Sequence, residues 1–274
     1  MIDLDLIKRA LTEDLQGGED ITSVATVSGA EKVVADFVAR KAGVIAGIEM
    51  AKAVLVEVGL TDISVLVQDG AHVEAGALLL TVRGDTRAIL LAERTALNFL
   101  GHLSGIATLT RRWVDEVAGT QCAIRDTRKT TPGMRMLEKY AVRMGGGTNH
   151  RMSLSDAALI KDNHIAAAGG VVAAFSQVRA KFPSAPIEIE VDTLEQLKEV
   201  LPLKPDLVLL DNMSPQQCAE AVAIAAGSCK LEASGGISLE NAKSYALSGV
   251  DYLAIGALTH SAPVLDIGLD LRVE

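Results

Sequence analysis

The feature that most constrains this chain is a series of short apolar runs, each ending in a polar residue or a glycine. Cys122-Ala123-Ile124 runs into Arg125-Asp126, Ala157-Ala158-Leu159-Ile160 into Lys161, and Ile187-Glu188-Ile189 into Glu190. Leu207-Val208-Leu209-Leu210 then ends in Asp211, Leu231-Glu232-Ala233 in Ser234-Gly235-Gly236, and Tyr252-Leu253-Ala254-Ile255 in Gly256. Amphipathic helical stretches separate the later runs. The ends at 190, 211, 234 and 256 lie 21, 23 and 22 residues apart, room for one strand, one helix and two short loops. Such alternation, with functional groups at the strand C-termini, is how an α/β barrel presents an active site, so the pattern predicts an enzyme. Six clear strands, or seven with a weaker one, fall short of the eight of a closed barrel. The expected barrel is therefore open.

The first hundred residues read differently. Residues 3–15 form a helical pattern, followed by a loop at Gln16-Gly17-Gly18-Glu19-Asp20. Lys32 to Val38 alternates as a strand, with Val33, Ala35 and Phe37 on one face. A turn at Gly43-Val44-Ile45-Ala46-Gly47 leads to a helix over residues 48–58, and Ile63–Val67 and Leu78–Val82 read as strands joined by glycine-containing turns. This is a mixed α+β domain with no evident chemistry. A helical stretch follows from Thr86 to Leu103 and, past Ser104-Gly105, to about Val117. The domain junction falls here: residues 1–104 form the first domain and 105–264 the barrel, with the tail 265–274 returning to the first. His72 reads as a turn residue, His102 and Trp113 as packed, and His164 as a cap for the next helix.

Composition excludes several function classes. A net charge of -9 argues against general nucleic-acid binding. No apolar run reaches the roughly 18 residues of a membrane span. The acidic, amphipathic start Met1-Ile2-Asp3-Leu4-Asp5-Leu6 is unlike a secretory signal. Cys122, Cys218 and Cys229 lack CxxC spacing, which suits buried thiols in a reducing cytoplasm and not a zinc site.

Against this acidic background, Arg125 to Lys161 carries eight basic residues and three acidic ones, a surplus of five. Arg135, Lys139 and Arg143, at helical spacing, read as a solvated helix face. Arg128-Lys129 and His150-Arg151 lie beside turn residues, the latter pair just after Gly145-Gly146-Gly147-Thr148-Asn149. Arginine forks and exposed glycine backbone suit carboxylate or phosphate, so these residues predict a polyanion pocket. The glycine loops at 234–236 and 255–257 close the last two strands, where barrels commonly hold a phosphate on helix N-termini. Glu190 and Asp211 end adjacent strands and suit Mg²⁺ or sugar hydroxyls, with plain ion pairing to Lys161 or Arg128 as the alternative. Residues two apart in a strand share a face, which sets Glu188 beneath Glu190 and Glu232 beneath Ser234. So much interior carboxylate requires cations. Lys161 could form a Schiff base, but anion binding fits its basic neighbours better.

Taken together, these segments resemble the quinolinate phosphoribosyltransferase family. The resemblance is carried by Glu93-Arg94-Thr95-Ala96-Leu97-Asn98, Asp126-Thr127-Arg128-Lys129-Thr130-Thr131-Pro132-Gly133, Gly145 to Arg151, Leu159-Ile160-Lys161-Asp162-Asn163-His164, Glu188-Ile189-Glu190-Val191, Leu210-Asp211-Asn212, Glu232 to Gly236 and Ile255-Gly256-Ala257-Leu258-Thr259. It spans essentially the whole chain. It implies an N-terminal α/β sandwich domain plus an open α/β barrel, and transfer of phosphoribose from phosphoribosyl pyrophosphate to quinolinate with loss of CO₂, as in NAD biosynthesis. It also implies a Mg²⁺ requirement and a homodimer in which Arg94 reaches the partner's site. Arg128, Arg151 and Lys161 would bind the diacid, with His150 nearby, and Lys129 would sit between quinolinate and pyrophosphate, beside Thr127. Glu190 and Asp211 would hold ribose or metal. Ser234, Gly235, Gly236, Ile255, Gly256, Ala257 and His260 would surround the 5′-phosphate. Lys129, Lys161, Glu190 and Asp211 are the expected catalytic set. The competing assignments are a molybdate-utilisation accessory protein of the same superfamily, a nicotinate phosphoribosyltransferase without decarboxylation, and a Schiff-base aldolase.

Overall fold

The computed structural model describes residues 2–28 and 31–272. The chain divides into two compact units: Met1–Arg111 with Met136–Gly146 and Ser261–Glu274, and Arg112–Arg135 with Gly147–His260. No helix among the described residues is long and apolar enough to cross a membrane.

The first unit opens with α1 (Leu4–Leu15), capped by Asp3, whose carboxylate accepts the Leu6 N–H at 3.0 Å. It buries Ile7 and Leu11, one turn apart. Asp20 caps α2 (Ile21–Thr26) in the same way. The next elements are β1 (Lys32–Ala39), β2 (Gly43–Val44), α3 (Ile48–Glu57), β3 (Asp62–Val65), β4 (His72–Val73) and β5 (Leu78–Asp85). His72 lies on β4, where it pairs with Val44, rather than in a turn. The helix α4 (Thr86–Glu116) runs without a break for 31 residues. Ile89, Ala92, Ala96, Leu100, Leu103 and Ala107 form its buried stripe at spacings of three and four. Ser104-Gly105, a plausible interruption in sequence, is a packing feature instead. The Ser104 hydroxyl bonds the Ala46 N–H and carbonyl at 3.0 and 3.1 Å, and a Cβ at Gly105 would lie 2.2 Å from the Pro263 carbonyl oxygen.

The second unit contains β6 (Ala123–Arg125), then, after α5 (Arg135–Met144), β7 (Ala158–Ile160), α6 (Asp162–Ala168), α7 (Val171–Lys181), β8 (Ile187–Val191) and α8 (Leu194–Val200). It continues with β9 (Leu207–Asp211), α9 (Pro215–Ala225), β10 (Lys230–Ser234), α10 (Leu239–Leu247), β11 (Tyr252–Ala254) and α11 (Ala257–His260). The sheet order is β6-β11-β10-β9-β8-β7, parallel throughout. A single parallel bridge joins Thr148 to Arg125 at the β6 edge. This is an open barrel. The chain ends in β12 (Ile267–Arg272), which pairs with β1 to give the antiparallel order β12-β1-β5-β3 in the first unit.

The solvated face expected on α5 is not there. Arg143 is exposed, but Lys139 is fully buried and Arg135 is half-buried, bonded to Thr130 Oγ1 and the Met152 carbonyl. Glu138, also buried, pairs with His102 Nε2 at 2.9 Å. Helical spacing identifies a common face. It does not say whether that face meets water, and α5 is buried over much of its circumference.

Candidate active site

The barrel interior holds a charged layer beneath its mouth. Glu188 and Glu232 are both buried, as strand parity requires. Arg125 Nη1 donates to Glu232 Oε2 at 2.8 Å, and its guanidinium lies 4.3 Å from the Tyr252 ring centroid. His150 Nε2 lies 2.7 Å from Glu188 Oε2 and 3.5 Å from Glu232 Oε1. Burial, with Glu188 beside it, pushes the Glu232 carboxyl up to about 7. Arg125 and His150 act in the opposite direction and do not offset it. The potential ligand atoms of His150, Glu188 and Glu232 lie within 4.8 Å of one another, as in a metal centre. However, the Arg151 N–H donates to His150 Nδ1 at 2.8 Å, which puts the ring proton on Nε2 facing the carboxylates. Arg125 already supplies the cation, so this layer is ion-paired.

Above it opens a cavity of about 640 Å³, within the range of small-molecule sites. The loop after β6 contributes Thr127, Arg128 and Lys129, and the loop before β7 contributes His150 and Arg151. Buried Asp126 ties the two loops together by accepting the His150 N–H at 2.9 Å and the Asn149 side-chain amide. Backbone bonds from Thr148 to Ile124 and from Asp126 to Thr148 complete the join. Arg128 Nε is buried and has no hydrogen-bond partner. Arg151 donates to the Ala157 carbonyl at 2.7 Å, and burial, with Arg128 close by, lowers its pKa.

Lys161 follows β7 and pairs with Glu190 Oε2 at 2.5 Å. Glu190 is buried and meets the mouth through that lysine, while Asp211 lines the cavity directly. Burial and the neighbouring Glu190 raise the Asp211 carboxyl above its usual range. His164 caps the turn after Lys161, its Nδ1 accepting the Lys161 N–H at 3.0 Å.

The remaining wall is formed by Ser234, Gly235 and Gly236, then Ile255, Gly256, Ala257 and His260. Gly235 and Gly236 have φ values of +87° and +62°, and a Cβ at Gly235 would lie 2.2 Å from Asn212 Oδ1. The first glycine loop differs from expectation in one respect. The helix after it starts at Leu239 with Ser238 as its cap, so Gly235-Gly236 precede the N-terminus instead of forming it. After Gly256, α11 begins at once. Two of the predicted site residues lie outside the cavity lining: Glu190, buried and paired with Lys161, and Arg94, exposed on α4 in the first unit.

Asn212 and the buried carboxylate of Asp126 are further parts of the site, with no role expected from the sequence. Asn212 is left-handed at φ 53° and donates to Asp211 Oδ2 at 2.6 Å. The available signal was an Asx residue directly after a strand-ending aspartate, since Asn tolerates that conformation.

An open parallel barrel with clustered guanidinium and ammonium groups, flanking carboxylates and glycine loops at one mouth defines an enzyme for small polyanionic substrates. Comparison with known proteins narrows this class. Residues 20–104 match the N-terminal domain of quinolinate phosphoribosyl transferase and residues 106–270 its C-terminal domain. The chain belongs to the quinolinate phosphoribosyltransferase family. It is 56% identical to the nicotinate-nucleotide pyrophosphorylase [carboxylating] of Mycobacterium leprae, over 97% of this chain and 96% of that one. It is 40% identical to a probable enzyme of the same name from Bacillus subtilis, over 98% and 93%. The solved nicotinate-nucleotide pyrophosphorylase structure from Ehrlichia chaffeensis superposes with a TM-score of 0.93 at 40% identity, covering 98% of each chain.

Proposed function

We infer that the protein transfers the phosphoribosyl group of phosphoribosyl pyrophosphate to quinolinate and releases CO₂. The products are nicotinate mononucleotide and pyrophosphate, a step of NAD biosynthesis. The observation that carries this reading is the pair Arg128 and Arg151. The two guanidinium groups line the same cavity, burial and then the neighbouring Arg128 lower the pKa of Arg151, and the buried Arg128 Nε lacks a partner. Like charges held together at a cavity call for a dianion, and Lys161 adds a third cation. A mono-acid substrate would leave part of that charge uncompensated, which favours quinolinate over nicotinate. Lys161 in an ion pair at 2.5 Å suits anion binding better than Schiff-base chemistry.

In this reading Arg128, Arg151 and Lys161 bind the two ring carboxylates, and Lys129 lies between quinolinate and pyrophosphate. The glycine loops and His260 receive the 5′-phosphate. As the bond from C1′ to pyrophosphate breaks, positive charge builds on the ribose, and Glu190 and Asp211 stabilise it. The pyridine nitrogen attacks C1′ and becomes cationic. The adjacent C–CO₂⁻ bond then breaks, its electron pair stays on the ring carbon, CO₂ leaves, and that carbon takes a proton from solvent.

The donors at this mouth also fit Mg²⁺. Asp211 at the cavity wall and Glu190 just behind it, paired with Lys161, offer hard oxygens at adjacent strand ends. When bound, the ion supplies charge against the departing pyrophosphate. A homodimer in which Arg94 of one protomer completes the other's site is part of the same reading, supported by its exposure on α4. So is a cytoplasmic location, supported by three free thiols. The test is to incubate the protein with quinolinate, phosphoribosyl pyrophosphate and Mg²⁺ and to measure CO₂ and mononucleotide. Turnover that is unchanged in Lys161→Ala or Arg151→Ala would remove the assignment.

A further inference from the structure

We propose that Glu188 and His150 are positioning residues that fix Arg151, and that the imidazole gives no hydrogen bond of its own to the substrate. This rests on the quinolinate reading of the mouth.

An N–H needs a lone pair, and the Arg151 amide finds one on His150 Nδ1 at 2.8 Å. The ring proton then lies on Nε2, which points to Glu188 Oε2 at 2.7 Å, with Glu232 Oε1 at 3.5 Å. Both ring nitrogens are directed at protein groups, although His150 borders the cavity and is only 7% exposed. Its own amide is held by Asp126 Oδ1 at 2.9 Å. The residue is thus anchored through its main chain on one side and its ring on the other. Arg151 inherits that order. Its amide is tied to the ring, and its guanidinium is directed by the Ala157 carbonyl at 2.7 Å. Without an acceptor at 188 only the more distant Glu232 Oε1, at 3.5 Å, is left to Nε2–H, so the ring is held less firmly, the lone pair offered to the Arg151 amide is no longer fixed, and the guanidinium is less well placed for the diacid. The loss belongs to substrate binding and not to bond breaking.

The experiment combines nitrogen NMR of ¹⁵N-histidine-labelled protein with kinetics. The chain has five histidines, and a His150→Gln spectrum identifies the relevant signals. The expected result is an Nε2–H tautomer both without ligand and at saturating quinolinate. Glu188→Leu should raise KM for quinolinate about tenfold or more while kcat changes less than about threefold. Glu188→Gln keeps an acceptor oxygen and should stay within about threefold of wild type on both constants. A proton moved to Nδ1 or added to the ring by quinolinate would overturn the proposal. So would an unchanged KM in a folded Glu188→Leu variant. Should that variant not fold, the spectra of the unmodified protein decide. Absence of quinolinate turnover in the wild type would defeat the function instead, and the ligand-free tautomer would still decide the Glu188–His150 pairing.

Discussion

Replacing Glu232 by Gln removes one ionisable carboxyl from the barrel interior. Glu232 is fully buried, and burial followed by the Glu188 charge moves its carboxyl from the ordinary 4.5 to about 7. In the unfolded chain it returns to the ordinary range. The folded protein therefore holds this proton more tightly than the unfolded one. Its contribution to stability is complete below about pH 4.5 and is lost as pH rises through about 7. A difference of this size is worth about 3 kcal/mol. Gln cannot ionise, yet it keeps an oxygen for Arg125, so Glu232→Gln removes this contribution to the pH dependence and leaves the shape. Melting temperatures of both proteins should be measured in parallel from pH 4.5 to 8. The variant's value minus the wild type's should increase by roughly 5–10 °C across that range. Parallel curves would refute the reasoning, because they would mean that Arg125 and His150 compensate the buried charge after all.

Three further outcomes follow from the same geometry. Arg128→Ala should lower kcat/KM for quinolinate about 10- to 100-fold, the loss of one charge-assisted bond, and a steady-state comparison reads it directly. Gly105→Ala brings a Cβ within 2.2 Å of the Pro263 carbonyl and should destabilise the first unit by about 1–3 kcal/mol, seen as a lower melting temperature; an unchanged value would mean the 263 loop yields. If the proposed homodimer shares its sites through Arg94, then Arg94→Ala and Lys161→Ala chains, each inactive alone, should regain roughly a quarter of wild-type activity when unfolded and refolded together, since half the dimers would be mixed with one intact site in each. No recovery would count against a shared site.

Much of the barrel was legible because its code is local. A strand that points alternate residues inward must place Glu188 under Glu190 and Glu232 under Ser234, and those positions can be read without coordinates. Arg128, Lys129, His150, Arg151 and Lys161 stood out as a basic segment in an acidic chain, and all five line one cavity. Lys139 and Arg143 lie one helical turn apart and look alike in sequence, and only packing decides that one is fully buried and the other exposed. Ser104-Gly105 looked like punctuation within a helix, because a glycine chosen for backbone contact and one chosen for a turn are identical in sequence.

The succession of strands along the chain, the residues at their ends and the surplus of cations over one segment were determined by the sequence alone, since each can be read within a single stretch of chain. The tertiary structure decided the pairings across the barrel. Arg125 meets Glu232 over 107 positions, and His150 meets Glu188 from a different loop. Those contacts fix which histidine nitrogen carries the proton and which carboxyl is forced upward. Both are set by distance in space and by exclusion of water, and neither has a counterpart along the chain.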